Sequence, residues 1–518
     1  MKIIFSTQGL GLDIYFNVLK EMNISTKVEA SGFYVADSRY FNQFKKTNNN
    51  IEEYPLLKEW EIIEESFKME LDTDLLREYE EKLGNPFLWN ALLSDRRIYF
   101  GSKYALTQDY KPRYSHEQML RILQCALIEM ENFFDTIDPN LVVSFQSVTL
   151  GDYLSFLFAK SRGIQLLNVK PTRIKNYICA TESIYEPSSK LKQIFENKEV
   201  LIDDKYIEEG RSYLKTVQND HSMYEGVVPA SDMPPETMKT DKKIIIKIKK
   251  ILRLPKIFIM EFNRIFGKER FDTHITSYFT ILLYSKIIRP FKAKLLKFYM
   301  KGKYAEEEDL MDFEYAFFPL HTEPEVTLSV YSKNFMNQIE AIRKISINLP
   351  VGMKLIVKEH PWAIGKRKLS YYKKILNIPN VILANPTIHS RILIQQSTLV
   401  TVISSSIGFE GLMLKKPVIV LGGTPFSFIS EKMLRFIRNL DNIDINIKDL
   451  LENYHYDENA IIRYISLMIK ESAPVDYYTK LGGREAYSPE NPSSKTEDEL
   501  RKDHLKILSE YLLMRSKG

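Results

Sequence analysis

Between Glu314 and Leu421 short apolar runs alternate with amphipathic helical stretches, and this rhythm constrains the fold more than anything else in the chain. Residues 315–320, 353–357, 381–384, 399–403 and 417–421 have the length and Val/Ile/Leu/Phe content of strands buried on both faces. Helical periodicity separates them at 334–348, 370–376, 390–396 and 408–414; in the first of these Phe335, Ile339, Ile342 and Ile345 share one face. Five strands alternating with four helices predict a doubly wound parallel sheet, a Rossmann-like domain.

The beginning of the chain carries the same rhythm more loosely. A strand at 3–6 is followed by Gly9 and Gly11 and a helical run at 12–22. Later come a strand at 141–145, a helix at 150–161 and a strand at 165–169. Residues 51–135 read as charged and helical, with a loop around Asp95-Arg96-Arg97. At 518 residues the chain exceeds one ordinary core, so two α/β units are expected. Beyond residue 459 the pattern is helical, broken by the polar stretch 488–499 and closed by a helix at 499–514.

Charge is segregated. The whole chain carries a formal net charge of +5, which does not call for a nucleic acid partner, yet residues 241–303 hold 17 Lys/Arg against 4 Asp/Glu. The rest of the chain is therefore acidic. Residues 227–239 read as a linker. The basic run KKIIIKIKKILRLPKIFIM interleaves Ile and Leu with Lys, which suits either an anionic membrane surface or a solvated helix packed on its own protein. No run reaches 18 apolar residues, so no spanning helix is expected. The N-terminal segment lacks the long apolar core of a signal peptide. Two cysteines, Cys125 and Cys179, have neither disulfide-framework nor metal-site spacing. A cytoplasmic location, peripheral on the inner face of the membrane if the basic run binds lipid, fits these features, and neither a metal nor a cofactor is expected.

Three strand ends carry polar groups where an open parallel sheet binds ligands. After the first strand come His321, Glu323 and Glu325 in PLHTEPE. After the second come Lys358 and His360 in KEHP. After the fourth, Ser404, Ser405 and Ser406 precede Gly408 and Glu410 in SSSIGFE. Parallel strands send all three loops to one edge. Together they suit a nucleotide sugar. The serines and backbone N–H groups at a helix start offer an anion site, with Gly408 admitting close approach. Lys358 and His360 supply positive charge to a departing phosphate. Glu410 can accept from ribose hydroxyls, and His321 and Glu325 can orient the sugar. Each loop also has an ordinary structural use, since serines cap helices and His-Pro turns pack.

The stretch from Phe317 to Phe426, with PLHTEPE, NQIEAI, LPVGMKLIVKEHP and VISSSIGFEGLMLKKPVIVLG, resembles the capsule and surface-polysaccharide biosynthesis glycosyltransferases related to bacterial β-Kdo transferases. GNPFLWNALLSDRRIYF, residues 84–100, resembles the N-terminal half of that group, whereas residues 201–312 hardly resemble it. The resemblance implies a GT-B fold, with two Rossmann-like domains facing a cleft. On this reading residues 1–200 form an acceptor-side domain, 201–312 a linker and basic helical insertion, 313–450 the donor-binding domain, and 451–518 helices packing back on the core. It implies metal-independent transfer from a nucleotide-sugar donor, such as a CMP-activated acidic sugar, to a glycan or glycolipid acceptor. His360-Pro361 matches the His-Pro loop that contacts the donor in those enzymes. Glu323-Pro324 stands where they have Gln-Pro, a departure that leaves the donor open; Glu323 and His360 are candidate catalytic groups. Asp95, in the resembling stretch, is the candidate base or nucleophile, with Asp13 and Asp152 as rivals. A CDP-glycerol-type polymer phosphotransferase, a sugar-nucleotide epimerase and a non-catalytic glycan-binding assembly protein share the same framework.

Overall fold

The computed structural model describes residues 1–108, 110–219, 254–437, 439–483 and 496–517. Its strands, in chain order, are β1 (Lys2–Thr7), β2 (Ala30–Val35), β3 (Leu56–Lys58), β4 (Leu141–Phe145), β5 (Gln165–Pro171), β6 (Ile178–Thr181), β7 (Tyr315–Pro319), β8 (Lys354–Lys358), β9 (Val381–Ala384), β10 (Leu399–Val402), β11 (Val418–Val420), β12 (Leu434–Phe436) and β13 (Ser472–Ala473). They form two sheets, ordered β13-β6-β5-β4-β1-β2-β3 and β12-β11-β10-β7-β8-β9. Every pairing in the second sheet is parallel, and in the first only β6 and β13 run antiparallel to their neighbours.

The apolar runs pair in register because both faces of each sheet are covered. Phe317 of β7 lies between Ile356 of β8 and Val400 of β10, and all three are buried. Phe5 of β1 lies between Phe33 of β2 and Val143 of β4, and its ring stacks 5.3 Å from that of Phe33. Burying such side chains contributes about 1.5–3 kcal/mol each, enough to fix strand order against a slipped alternative. The helix Glu497–Ser516, started by a Thr496–Glu499 capping box, packs Leu508 and Leu512 into the N-terminal core beside helix Gly11–Ser25. The C-terminal end of the chain thus completes the N-terminal unit, which also receives β13.

In each sheet the order reverses once. β7, β8 and β9 run to one side and β10, β11 and β12 to the other; likewise β1, β2 and β3 diverge from β4 and β5. The crevices at the carboxyl ends, between β7 and β10 and between β1 and β4, are the places where such sheets hold ligands. These two edges face each other, giving the GT-B-like arrangement. The Arg96 guanidinium donates to the Pro324 carbonyl at 3.3 Å and the Gln108 amide to the Glu323 carbonyl at 3.3 Å. A side chain at Gly423 would meet the Glu186 carbonyl at 2.5 Å, so glycine lets the domains approach there.

Several expectations need correction. The helix expected at 334–348 is shorter, Gln338–Ser346, and Phe335 belongs to a preceding 3-10 turn, Lys333–Phe335. The C-terminal sheet has a sixth strand, β12, from a three-residue run too short to show a period. β2 was hidden by Ala, Ser and Gly in its first three positions; Gly32 faces Ile137 and Phe133, which leave no room for a side chain. The helical reading of residues 51–135 misses the short strand β3. The linker expected at 227–239 and the basic run at 242–253 lie outside the described residues, as does most of the polar stretch 488–499. No helix among the described residues is long and apolar enough to cross a membrane.

Candidate active site

β10, β7 and β8 are adjacent in the second sheet, so the three polar loops leave neighbouring strands at the same edge. His321 follows β7 and is buried. The backbone N–H of Ser404, after β10, donates to its Nε2 at 3.4 Å, across the switch point. A backbone N–H can only donate, so Nε2 is the accepting nitrogen and Nδ1 carries the hydrogen. Nδ1 faces Glu325 Oε2 at 3.3 Å. Burial alone would raise the Glu325 carboxyl, but hydrogen bonds from His321 and Thr322 outweigh it and bring the group down to about 2.

Lys358 ends β8. Its ammonium is buried beside the Ser390 hydroxyl at 3.3 Å, and burial lowers it to about 8. His360 starts the turn Pro361–Ala363, accepting from Trp362 N–H at 3.2 Å. The residue as a whole is exposed. Crowding by the walls, opposed by the Glu325 charge, lowers it to about 4, although water at the exposed face softens that effect. Ser405 caps helix Ser406–Met413, its hydroxyl accepting from Ile407 N–H at 3.2 Å, while the Ser404 hydroxyl donates to the Gly423 carbonyl at 2.5 Å. Ser406 opens the helix, half-buried. Glu410 is half-buried and its carboxylate makes no hydrogen bond among the described residues; burial raises it, opposed by the Arg391 charge. Gly408 has a different reason from the expected one. A side chain there would strike Val402 and Phe426 at 2.9 Å, so this glycine seats the helix on the sheet rather than admitting a ligand.

Glu323 is also different. Its carboxylate receives Arg367 at 3.0 Å, the Tyr110 hydroxyl at 3.3 Å and the Gln338 amide. A carboxylate with three donors is a brace between the domains rather than a free acid or base. Asp95, the expected base, is fully buried: Oδ1 accepts from the N–H groups of Arg97 (2.9 Å) and Ile98 (3.1 Å), and Oδ2 from that of Leu150 (3.0 Å). It caps two helices at once, which leaves no face toward the cleft. Its rivals are committed as well. Asp152 accepts from Ser6, Val148 and Thr149, and Asp13 pairs with Arg501.

Sequence reasoning missed four groups. Arg367, from a Gly-Lys-Arg-Lys run that reads as surface, is buried and joins the loops: it donates to the His321 carbonyl at 2.5 Å, pairs with Glu323, and lies 2.7 Å from Glu359. Gln338, fully buried, accepts from His321 N–H at 2.8 Å and donates to its carbonyl at 3.2 Å. On the opposite wall Glu59 accepts from the Tyr34 hydroxyl at 2.5 Å and from Thr273 at 2.7 Å, and burial pushes it up. His274 lies beside it, Nε2 3.8 Å from Glu59 Oε1, its Nε2 buried with no hydrogen-bond partner among the described residues. Burial, then the charges of Arg97 and Arg96, press His274 well below its usual range and keep it neutral. Thr273 and His274 come from the segment expected to be a basic insertion, and Asp272 anchors them by accepting from Ser38 N–H at 2.7 Å. Only a pairing across more than 200 residues reveals this wall, and no local pattern announces it.

Residues 273–430 match the capsule polysaccharide biosynthesis protein family. The match contains all three loops and begins at Thr273, inside the stretch expected to resemble that family hardly at all. The chain is also similar to KpsC of Thermosulfurimonas dismutans: the beta Kdo 2,7 transferase at 13% identity, covering 66% of this chain and 89% of that one with a TM-score of 0.32, and the beta Kdo 2,4 transferase at 13% identity, 70% and 86%, with a TM-score of 0.36. A UDP-GlcNAc 2-epimerase from Neisseria meningitidis is similar at 12% identity over 91% of this chain and 99% of that one, with a TM-score of 0.24. No curated protein sequence matches.

Proposed function

With a family resemblance to capsule polysaccharide biosynthesis proteins as the premise, we propose that the protein is a glycosyltransferase moving a sugar from a nucleotide-sugar donor to a cell-surface polysaccharide or glycolipid acceptor. The observation that carries this reading is the meeting of His321 and Ser404 across the switch point, with Lys358 and His360 on the next strand end.

In this reading the donor phosphates lie at the start of helix Ser406–Met413, where backbone N–H groups and Lys358 meet negative charge. The bond from the anomeric carbon to the phosphate oxygen breaks, its electron pair leaves with the phosphate, and Lys358 and His360 stabilise the charge that develops. Glu410 accepts from the ribose. Glu325, ionised and fixed by His321 and Thr322, orients the sugar. The acceptor oxygen bonds to the anomeric carbon, and its proton goes to the opposite wall. There His274 replaces Asp95 as the proposed proton acceptor: it is neutral, and its buried Nε2, unlike the Asp95 oxygens, has no hydrogen-bond partner among the described residues, so it acts once the bound acceptor reaches it. A CMP-activated acidic sugar such as Kdo is the proposed donor, with Glu323-Pro324 as the point where this chain departs from that pattern.

A thermal-shift screen against CMP-, CDP-, UDP- and GDP-sugars tests the proposal. A ligand at about 100 times its dissociation constant adds about 2.7 kcal/mol to stability. One nucleotide class should raise the melting temperature and names the donor. No shift with any of them removes the transferase reading and leaves the non-catalytic one.

A further inference from the structure

Helices Tyr278–Leu283 and Arg289–Met300, joined by the π-helical turn Tyr284–Ile288, run on as one rod about 35 Å long. Pro290 lacks the N–H that would close the ladder, which places the irregular turn just before it. One side of the rod is fastened to the protein. Arg289 donates to the carbonyls of Ile364 (3.1 Å) and Trp362 (3.2 Å), and Leu296 and Met300 are buried. On the other side Leu283, Ile287, Phe291, Leu295 and Phe298 recur at i+4 and i+3 spacing and all are exposed, Phe291 at 67% and Phe298 at 81%.

Helix Leu254–Phe266 extends the apolar surface. Glu261 accepts from Tyr278 N–H at 2.5 Å, and the Phe258 ring lies 5.8 Å from that of Phe279. Its outward residues Phe258, Phe262 and Phe266 are 61%, 62% and 72% exposed. An open apolar surface of this extent marks an interaction site. Its charge says which kind. Between Tyr278 and Lys303 there are seven Lys/Arg and no Asp or Glu, and Lys286, Lys294 and Lys297 are exposed beside the stripe.

We propose that this face docks the protein on an anionic lipid bilayer, the apolar stripe entering the headgroup boundary and the lysines meeting lipid phosphates. Charge disfavours the other occupants. A second copy would bring the same cations against these, and residues 242–253 of the chain itself carry six Lys/Arg and no acid. The rod also holds the His360-Pro361-Trp362 turn through Arg289, so docking sets the cleft beside the bilayer. The docking stands on the surface alone; only the placing of a glycolipid acceptor at the cleft rests on the transferase reading.

Co-sedimentation of the full chain with vesicles, about one-third phosphatidylglycerol in phosphatidylcholine or phosphatidylcholine alone, is the test. The anionic vesicles should bind at least about tenfold more tightly, and less so in high salt. Phe291→Ser with Phe298→Ser should cost about tenfold or more, and Lys294→Glu with Lys297→Glu should abolish the anionic preference, both with the melting temperature of the parent. If a pair lowers that temperature, Ile287→Ser is read in its place. Equal binding to both vesicles, unchanged binding by the variants, or no binding at all overturns the proposal. In the last case, a dimer lost in the phenylalanine variant identifies a second copy as the occupant, and binding gained on deleting 220–253 identifies that segment. Because no turnover is measured, failure here leaves the transferase reading untouched.

Discussion

The two sheet edges that face each other across the cleft share one architecture and differ in how much binding capacity they leave unused. On the C-terminal edge, among the described residues, the Glu410 carboxylate has no hydrogen bond, His360 is exposed, and the Lys358 ammonium is held by a single hydroxyl. On the N-terminal edge Asp95, Asp152 and Glu59 each accept two or three hydrogen bonds and are buried. Buried and bonded within their own unit, these three carboxylates are scaffold, whatever their place in a motif. His274 is the exception on that side, which is why the proposed base falls to it.

The comparison can be broken most forcefully at Arg367, which ties the loops after β7 and β8 together. Arg367→Leu takes the paired guanidinium from Glu359, buried at the 1% level and left with the Tyr372 hydroxyl and His360 N–H, and should cost about 3 kcal/mol in a denaturant melt. A loss under about 1 kcal/mol would mean that the loops hold their places without it.

Next come the groups with spare capacity. His360→Ala should lower transfer by about 100-fold or more with a nearly unchanged melt, because the residue is exposed and its ring accepts only the Trp362 N–H of a surface turn among the described residues. Full turnover in the variant would return His360 to a merely structural turn. The opposing wall supplies the contrast. His274→Gln should likewise abolish most transfer, whereas Asp95→Ala should cost about 2 kcal/mol of stability as two helix caps go, with activity per folded molecule preserved. If Asp95→Ala folds normally and is inactive, the assignments on this wall are reversed.

The smallest effect expected is in pH. Lys358 is lowered from 10.5 to about 8 by burial. A cation whose folded value lies below its unfolded one costs stability while charged, a cost relieved as pH rises from about 8 to 10.5. Donor affinity should move the opposite way, falling above about pH 8 as the ammonium discharges, and Lys358→Arg should remove that inflection.

What could be read in the chain follows the same division. β7, β8, β9, β10 and β11 were legible because each is a continuous apolar run, and the loops after β7, β8 and β10 were legible because polar residues end those runs abruptly. Asp95 misled because a motif position says nothing about where the side chain points; three backbone N–H groups decide that, one of them 55 residues away. Arg367 and Gln338 were invisible because a burial partner, not a local pattern, gives them meaning. Thr273 and His274 were hidden within a segment whose overall basicity suggested a single role, although it both braces the N-terminal wall and presents an apolar face outward.

The account rests on one pocket formed where β7 and β10 diverge. Hydrogen exchange of the protein with and without the nucleotide that stabilises it tests this most directly. Slowed exchange at residues 319–325, 358–362 and 404–408 together is the predicted result. Protection confined to the β1–β4 crevice, or absent from all three loops while the nucleotide is bound, would contradict it.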